Sequence, residues 1–140
     1  MPSANHDLAV RWFEEFWNQG REDAVERLSQ PDAESYAFPQ ADSVLNGSQF
    51  IEFAREFRRS FSDIHIQVEE TVSEDDRVAV RWTGTMKHSG GGLGIPPTGM
   101  SVKVVGMTFL HLRDGRIQKA WNALDLGSVI EHLSAISSHS

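Results

Sequence analysis

The hydrophobic period changes from that of helices to that of strands midway along this chain, and that change limits what it can fold into. Up to Trp17 the apolar residues Leu8, Val10, Trp12, Phe13, Phe16 and Trp17 recur three and four apart, the spacing of an amphipathic helix with a broad buried face. Asn18-Gln19-Gly20 interrupts it, and residues 21–28 restart a short helical pattern with Ala24, Val25 and Leu28 inward, ended by Gln30-Pro31-Asp32. Residues 36–39 are expected to be extended, because Pro39 restricts Phe38. After the Asn46-Gly47 turn, Ser48 is expected to cap a helix over 49–60 whose apolar stripe is Phe50, Ile51, Phe53, Ala54 and Phe57. Beyond Asp63 the period falls to 2 and predicts strands over 64–73, 77–88, 101–113 and 116–124. Asp75-Asp76 and Asp114-Gly115 are hairpin signals, 89–99 is a loop rich in glycine and proline, and 127–136 forms a closing helix before a frayed tail.

Helices first and strands afterwards is the order of an α+β domain, in which amphipathic helices cover one face of an antiparallel sheet. A strongly twisted sheet wrapped over helices encloses a cone, and a cone lined by apolar side chains is a natural site for a small hydrophobic ligand. The 140 residues suffice for one domain with a core, expected to be ordered over about 6–136.

Composition removes several classes of function. A net charge of −7 repels phosphate backbones, so no nucleic acid partner is expected. The Arg55, Arg58 and Arg59 cluster reads as a solvated helix face. No apolar run approaches the roughly 20 residues needed to cross a bilayer, and the polar start lacks the pattern of a secretory signal. The absence of cysteine excludes disulfides and thiolate chemistry and fits a reducing compartment, with cytoplasm as the expected location. Six scattered histidines show no ligand spacing, Gly90-Gly91-Gly92 precedes neither a Lys-Ser/Thr pair nor a helix, and no Gly-x-Ser-x-Gly elbow occurs. Neither a metal nor a cofactor is expected.

What remains is acid-base chemistry or binding alone. Alternation places His88 on the same strand face as Val78, Val80, Trp82 and Met86, where an imidazole could exchange a proton; a histidine satisfied by the loop is the plainer alternative. With a type I turn that puts Gly115 in the left-handed position, Thr108 pairs with Ala120 and Gly106 with Asn122, while a two-residue turn would shift this register by one. In the first register Val104, Gly106, Thr108, Leu110, Ala120, Asn122 and Leu124 share one face, with Trp121 on the other. Asp125, at the strand end, is the candidate base, with a helix cap as its alternative role. Trp82, Trp121, Phe16, Phe53 and Phe57 are candidate lining residues, Tyr36 and Phe38 candidates for the pocket mouth, and several of these aromatics would serve equally as plain core.

The string His88-Ser-Gly-Gly-Gly-Leu-Gly-Ile-Pro-Pro-Thr-Gly99, the turn Arg113-Asp-Gly-Arg-Ile117, the ending Trp121-Asn-Ala-Leu-Asp125 and the early Trp12-Phe13 together resemble the SnoaL-like polyketide cyclases, or ester cyclases, of the nuclear transport factor 2-like superfamily. The resemblance covers nearly the whole chain. It implies a cone-shaped α+β barrel with a hydrophobic cavity, no metal, and a homodimer or higher homo-oligomer packed through the sheet face. It also implies intramolecular aldol closure of a polyketide ester, with an aspartate of the last strand moving the proton. Aligned through Asp114-Gly115, that aspartate falls on Asn122 and the cyclases' histidine on Thr108. An amide has no proton to exchange at physiological pH, so Asn122 is left to polarise a carbonyl. Two readings therefore stand. One is an enzyme with Asp125 as base, His88 as acid or orienting group, and Asn122 and Thr108 as hydrogen-bond partners; the other is a module that binds a small hydrophobic molecule unchanged. A purely assembly role through the sheet face is a third.

Overall fold

In the computed structural model the described residues are 4–36, 44–91, 96–124 and 126–138. Helix α1 (Ala4–Trp12) runs on without a break into a π-helical stretch, Phe13–Asn18, in which the Gln19 N–H reaches back five residues to the Glu14 carbonyl at 2.9 Å. Asn18 anchors the end of this stretch to the sheet, accepting from Ile66 N–H at 2.6 Å and donating to the Ile66 carbonyl at 2.9 Å. A short α2 (Asp23–Leu28) leads directly into β1 (Ser29–Tyr36), followed by β2 (Val44–Leu45) and α3 (Gly47–Ser60). The cap of α3 is Asn46 rather than the expected Ser48. The Asn46 side chain accepts from Gln49 N–H and the Gln49 side chain accepts from Asn46 N–H, so two otherwise unpaired donors are satisfied reciprocally.

The long strands fall where alternation places them: β3 (Phe61–Glu74), β4 (Arg77–His88), β5 (Ser101–Arg113) and β6 (Arg116–Leu124). Helix α4 (Leu126–Ser138) outlasts its expected end at 136. The sheet has six strands in the order β2-β1-β6-β5-β4-β3; it is curved and does not close on itself. Among the described residues every pairing is antiparallel except one, since β1 runs parallel to β6. That ladder is interrupted between Ser29 and Glu34, around Pro31, which has no amide hydrogen to contribute.

The register of the last hairpin differs from the expected one by two positions. Asp114 and Gly115 both have positive φ (53° and 74°), giving a two-residue turn with Arg113 opposite Arg116. An irregularity between His111 and Leu112 then moves the ladder one residue further, so Thr108 lies opposite Asn122 and Gly106 opposite Leu124. Two single shifts restore the original parity, and each side chain keeps its expected face. Val104, Thr108 and Leu110 are buried on the concave side, where the helices pack, whereas Val105, Met107 and Phe109 face outward.

Candidate functional site

Between the concave face and the helices lies a cavity of about 80 Å³, enough for several water molecules. Trp12, Phe13 and Trp17 line it from the first helix, Phe50 and Phe57 from α3, and Trp82 and Met86 from β4. The β5 and β6 strands add Val104, Leu110, Ile117, Ala120, Asn122 and Leu124, and β1 supplies Ser29, Ala33, Glu34 and Ser35.

One wall of this apolar space is a continuous hydrogen-bond chain. The Trp82 indole N–H donates to the Thr108 hydroxyl at 3.0 Å, and the Thr108 hydroxyl donates to Asn122 Oδ1 at 3.0 Å. The Asn122 amide donates to Ser35 Oγ at 3.1 Å and to the Tyr36 carbonyl at 3.4 Å. The two positions on which the resemblance puts the cyclases' aspartate and histidine, Asn122 and Thr108, are thus direct cross-strand partners. Their hydrogens are already committed within the protein: both amide hydrogens of Asn122 are used, and Thr108 is enclosed between indole and amide.

Of the candidate lining residues, Trp82, Phe57 and Asn122 line the cavity, and Thr108 lies behind it. Phe16 is fully buried outside the lining, stacked on Trp12 with ring centres 4.8 Å apart. Phe53 packs between Phe50 and Phe57 and is absent from the lining. Tyr36 and Trp121 stack on each other at 5.1 Å away from the cavity lining, and the Tyr36 hydroxyl donates to Glu34 at 3.1 Å. Phe38 and Asp125 lie outside the described residues.

His88 is buried on the expected apolar side, next to Phe61, but it does not line the cavity. It holds the following loop instead. The Thr98 N–H donates to its Nδ1 at 3.3 Å, Thr98 Oγ1 lies 3.0 Å from the same nitrogen, and the backbone at 88 bonds both Gly99 and Met100 at 2.8 Å. Nδ1 is therefore an acceptor and Nε2 carries the proton, buried without a partner among the described residues.

Sequence reasoning missed Ser35 and the aromatic pair Trp12 and Trp17. Among the described residues no group of three or more His, Asp or Glu side chains could hold a metal ion, and no helix is long and apolar enough to cross a membrane. On the convex face His111 lies against Trp121 at 4.6 Å and Phe109 at 5.4 Å. Desolvation there, reinforced by the charges of Arg77 and Lys119, holds its pKa below the ordinary 6.5.

A curved sheet covered by helices over a largely apolar hollow defines a domain of the nuclear transport factor 2-like kind. This chain belongs to the SnoaL-like polyketide cyclase family, whose profile matches residues 7–133. Among solved structures it is similar to a protein of Jannaschia sp. CCS1 classed as a SnoaL-like polyketide cyclase, at 27% identity and TM-score 0.83 over 94% of this chain and 92% of that one. It is also similar to IdmH of Streptomyces antibioticus, classed as a polyketide cyclase, at 24% identity and TM-score 0.81 over 92% and 97% of the two chains. AclR of Streptomyces galilaeus, classed as a hydroxylase, matches at 22% identity and TM-score 0.83 over 96% and 98%. The latter two likenesses speak for the fold alone. No curated protein matches the chain.

Proposed function

We propose that this protein is a cyclase-type enzyme that takes a small, neutral, hydrophobic carbonyl compound into the cavity and moves a proton on it without a cofactor. The observation that carries the proposal is the largely apolar hollow with the hydrogen-bonding wall Trp82-Thr108-Asn122-Ser35. Such a wall fixes one polar atom of a ligand and leaves its skeleton to hydrophobic contact. Family membership supports the reaction class. The base assigned is Asp125, directly after β6, since the amide at 122 cannot take a proton. His88, tied to the loop, supports the architecture of this end of the sheet.

Proton abstraction beside a carbonyl can be read without knowing the natural substrate, by following deuterium uptake into the methyl group of acetophenone in D2O. The protein should accelerate uptake, and Asp125→Asn should slow it by about a hundredfold, the usual yield of acid-base catalysis. An unchanged rate in that variant removes Asp125 from the mechanism. The second reading, binding without chemistry, draws on the fully engaged amide of Asn122. Binding of acetophenone with no acceleration of uptake would select it.

The same reading includes a homodimer or higher homo-oligomer formed through the convex sheet face, in the cytoplasm. Val105, Met107 and Phe109 are 56%, 58% and 40% exposed in one row of β5, and an apolar row of this kind calls for a cover. Met107→Glu should convert the oligomer to monomer in sedimentation analysis, whereas a variant that still associates would exclude this face. The lowered pKa of His111 gives folding stability a pH sign: its contribution is full above about pH 6.5 and is lost as pH falls through its lower folded-state pKa, when a new charge joins Arg77 and Lys119.

A further inference from the structure

We propose that the Ser35 hydroxyl is the polar contact point of the cavity, and that it selects a neutral ligand carrying a hydrogen-bond acceptor such as a ketone, ester or ether oxygen. The inference rests on the reading that the hollow binds a small carbonyl compound, and it specifies what that compound presents and where.

The direction of the hydrogen-bond chain is fixed at its Tyr36 end and agrees with the indole at the other. At one end an indole N–H can only donate, so Thr108 Oγ1 accepts from Trp82 and sends its own single hydrogen to Asn122 Oδ1. At the other end the Tyr36 carbonyl can only accept, so the NH2 side of the Asn122 amide faces it. A flipped amide would set its oxygen against the Tyr36 carbonyl oxygen. The same NH2 group donates to Ser35 Oγ, which leaves the Ser35 hydrogen over.

Ser35 is 8% exposed and lines the cavity, and no acceptor for its hydrogen occurs among the described residues. Among the described residues the chain that begins on the Trp82 indole thus ends on a donor at the cavity wall. A ligand oxygen placed there completes the chain; a hydrocarbon leaves a buried donor unpaired. Charge is selected as well. Glu34 is the sole ionisable residue among the described lining residues, and it is acidic. An anionic ligand would lose its hydration and meet no cation.

The test uses the full chain labelled with 15N and three probes of one shape: acetophenone, ethylbenzene and benzoate. The indole resonances of Trp12, Trp17 and Trp82 report from the cavity, and Trp121, on the opposite face, serves as an internal control. Acetophenone should bind about three- to tenfold more tightly than ethylbenzene, the yield of one neutral hydrogen bond, and benzoate should bind far more weakly than either. Ser35→Ala should abolish the acetophenone preference while leaving ethylbenzene affinity in place, and Ser35→Thr, which keeps a hydroxyl, should restore it. A preference that survives Ser35→Ala, or benzoate bound as tightly as acetophenone, overturns the inference while the binding cavity stands. If neither acetophenone nor ethylbenzene moves the three indole signals, the cavity reading falls and takes this one with it.

Discussion

Phe16→Ala is expected to lower stability by about 3–5 kcal/mol, the range for truncating a fully buried phenylalanine. The ring is completely enclosed, stacked on Trp12 at 4.8 Å with 5° between planes, edge-on to Trp17 at 5.1 Å and tilted against Phe50 at 5.3 Å. The Arg58 guanidinium lies 5.2 Å above it and also donates to the Phe16 carbonyl at 2.6 Å. Burial there holds the Arg58 pKa below its ordinary value, so removing the ring would take away a favourable partner from a partly desolvated cation. A urea midpoint lowered at constant slope, with a melting temperature down by roughly 10–20 °C, is the expected readout. A loss below about 1 kcal/mol would mean that the neighbouring rings close over the gap. Because Phe16 does not line the cavity, Phe16→Leu should leave acetophenone binding unchanged.

That placement shows how far periodicity carries. The helical spacing put Trp12, Phe13, Phe16 and Trp17 on a buried side, yet it could not divide them between core and cavity. In a regular α-helix, residues five apart point about 140° away from each other. The wider turn at Phe13–Asn18 brings Trp12 and Trp17 to the same cavity, and nothing in composition announces a π-helical turn. The strands were legible for a different reason. Alternation fixes which side chains face the core, and the inward set Val104, Thr108, Leu110, Ala120, Asn122 and Leu124 follows from parity alone.

Parity does not fix register. One residue of shift at the Asp114-Gly115 turn and another at the irregularity beside His111 cancel in facing while changing every partner. Asn122 was therefore foreseen on the correct face with the wrong neighbour, Gly106 in place of Thr108. The chain of hydrogen bonds depends on the true neighbour, and on a strand that local pattern could not join to it. Ser35 sits on β1, which lies beside β6 through a parallel pairing between distant parts of the sequence. Local periodicity carries no information about such a partner.

Gly106→Ala is expected to destabilise the protein by about 3–4 kcal/mol, and to do so through Trp82. Gly106 stands opposite Trp82 in the β4–β5 ladder, and a Cβ built on it would lie 2.3 Å from Trp82 Cζ2 and 2.6 Å from Cη2. The indole has nowhere to retreat without cost. Phe13 packs against it at 6.0 Å between ring centres, and its N–H is held by Thr108 at 3.0 Å. Overpacking contributes about 1–3 kcal/mol, and a displaced indole leaves a buried donor unpaired for a similar amount. The effect should also reach the ligand, since the Trp82 indole lines the cavity. A double-mutant cycle isolates the cause. In a Trp82→Leu background the added methyl meets a smaller, flexible side chain, so Gly106→Ala should cost under about 1 kcal/mol there, and the difference between the two costs is the coupling. Equal costs in both backgrounds would show that the penalty arises in the β5 backbone, and the indole would then not be what reserves this position for glycine.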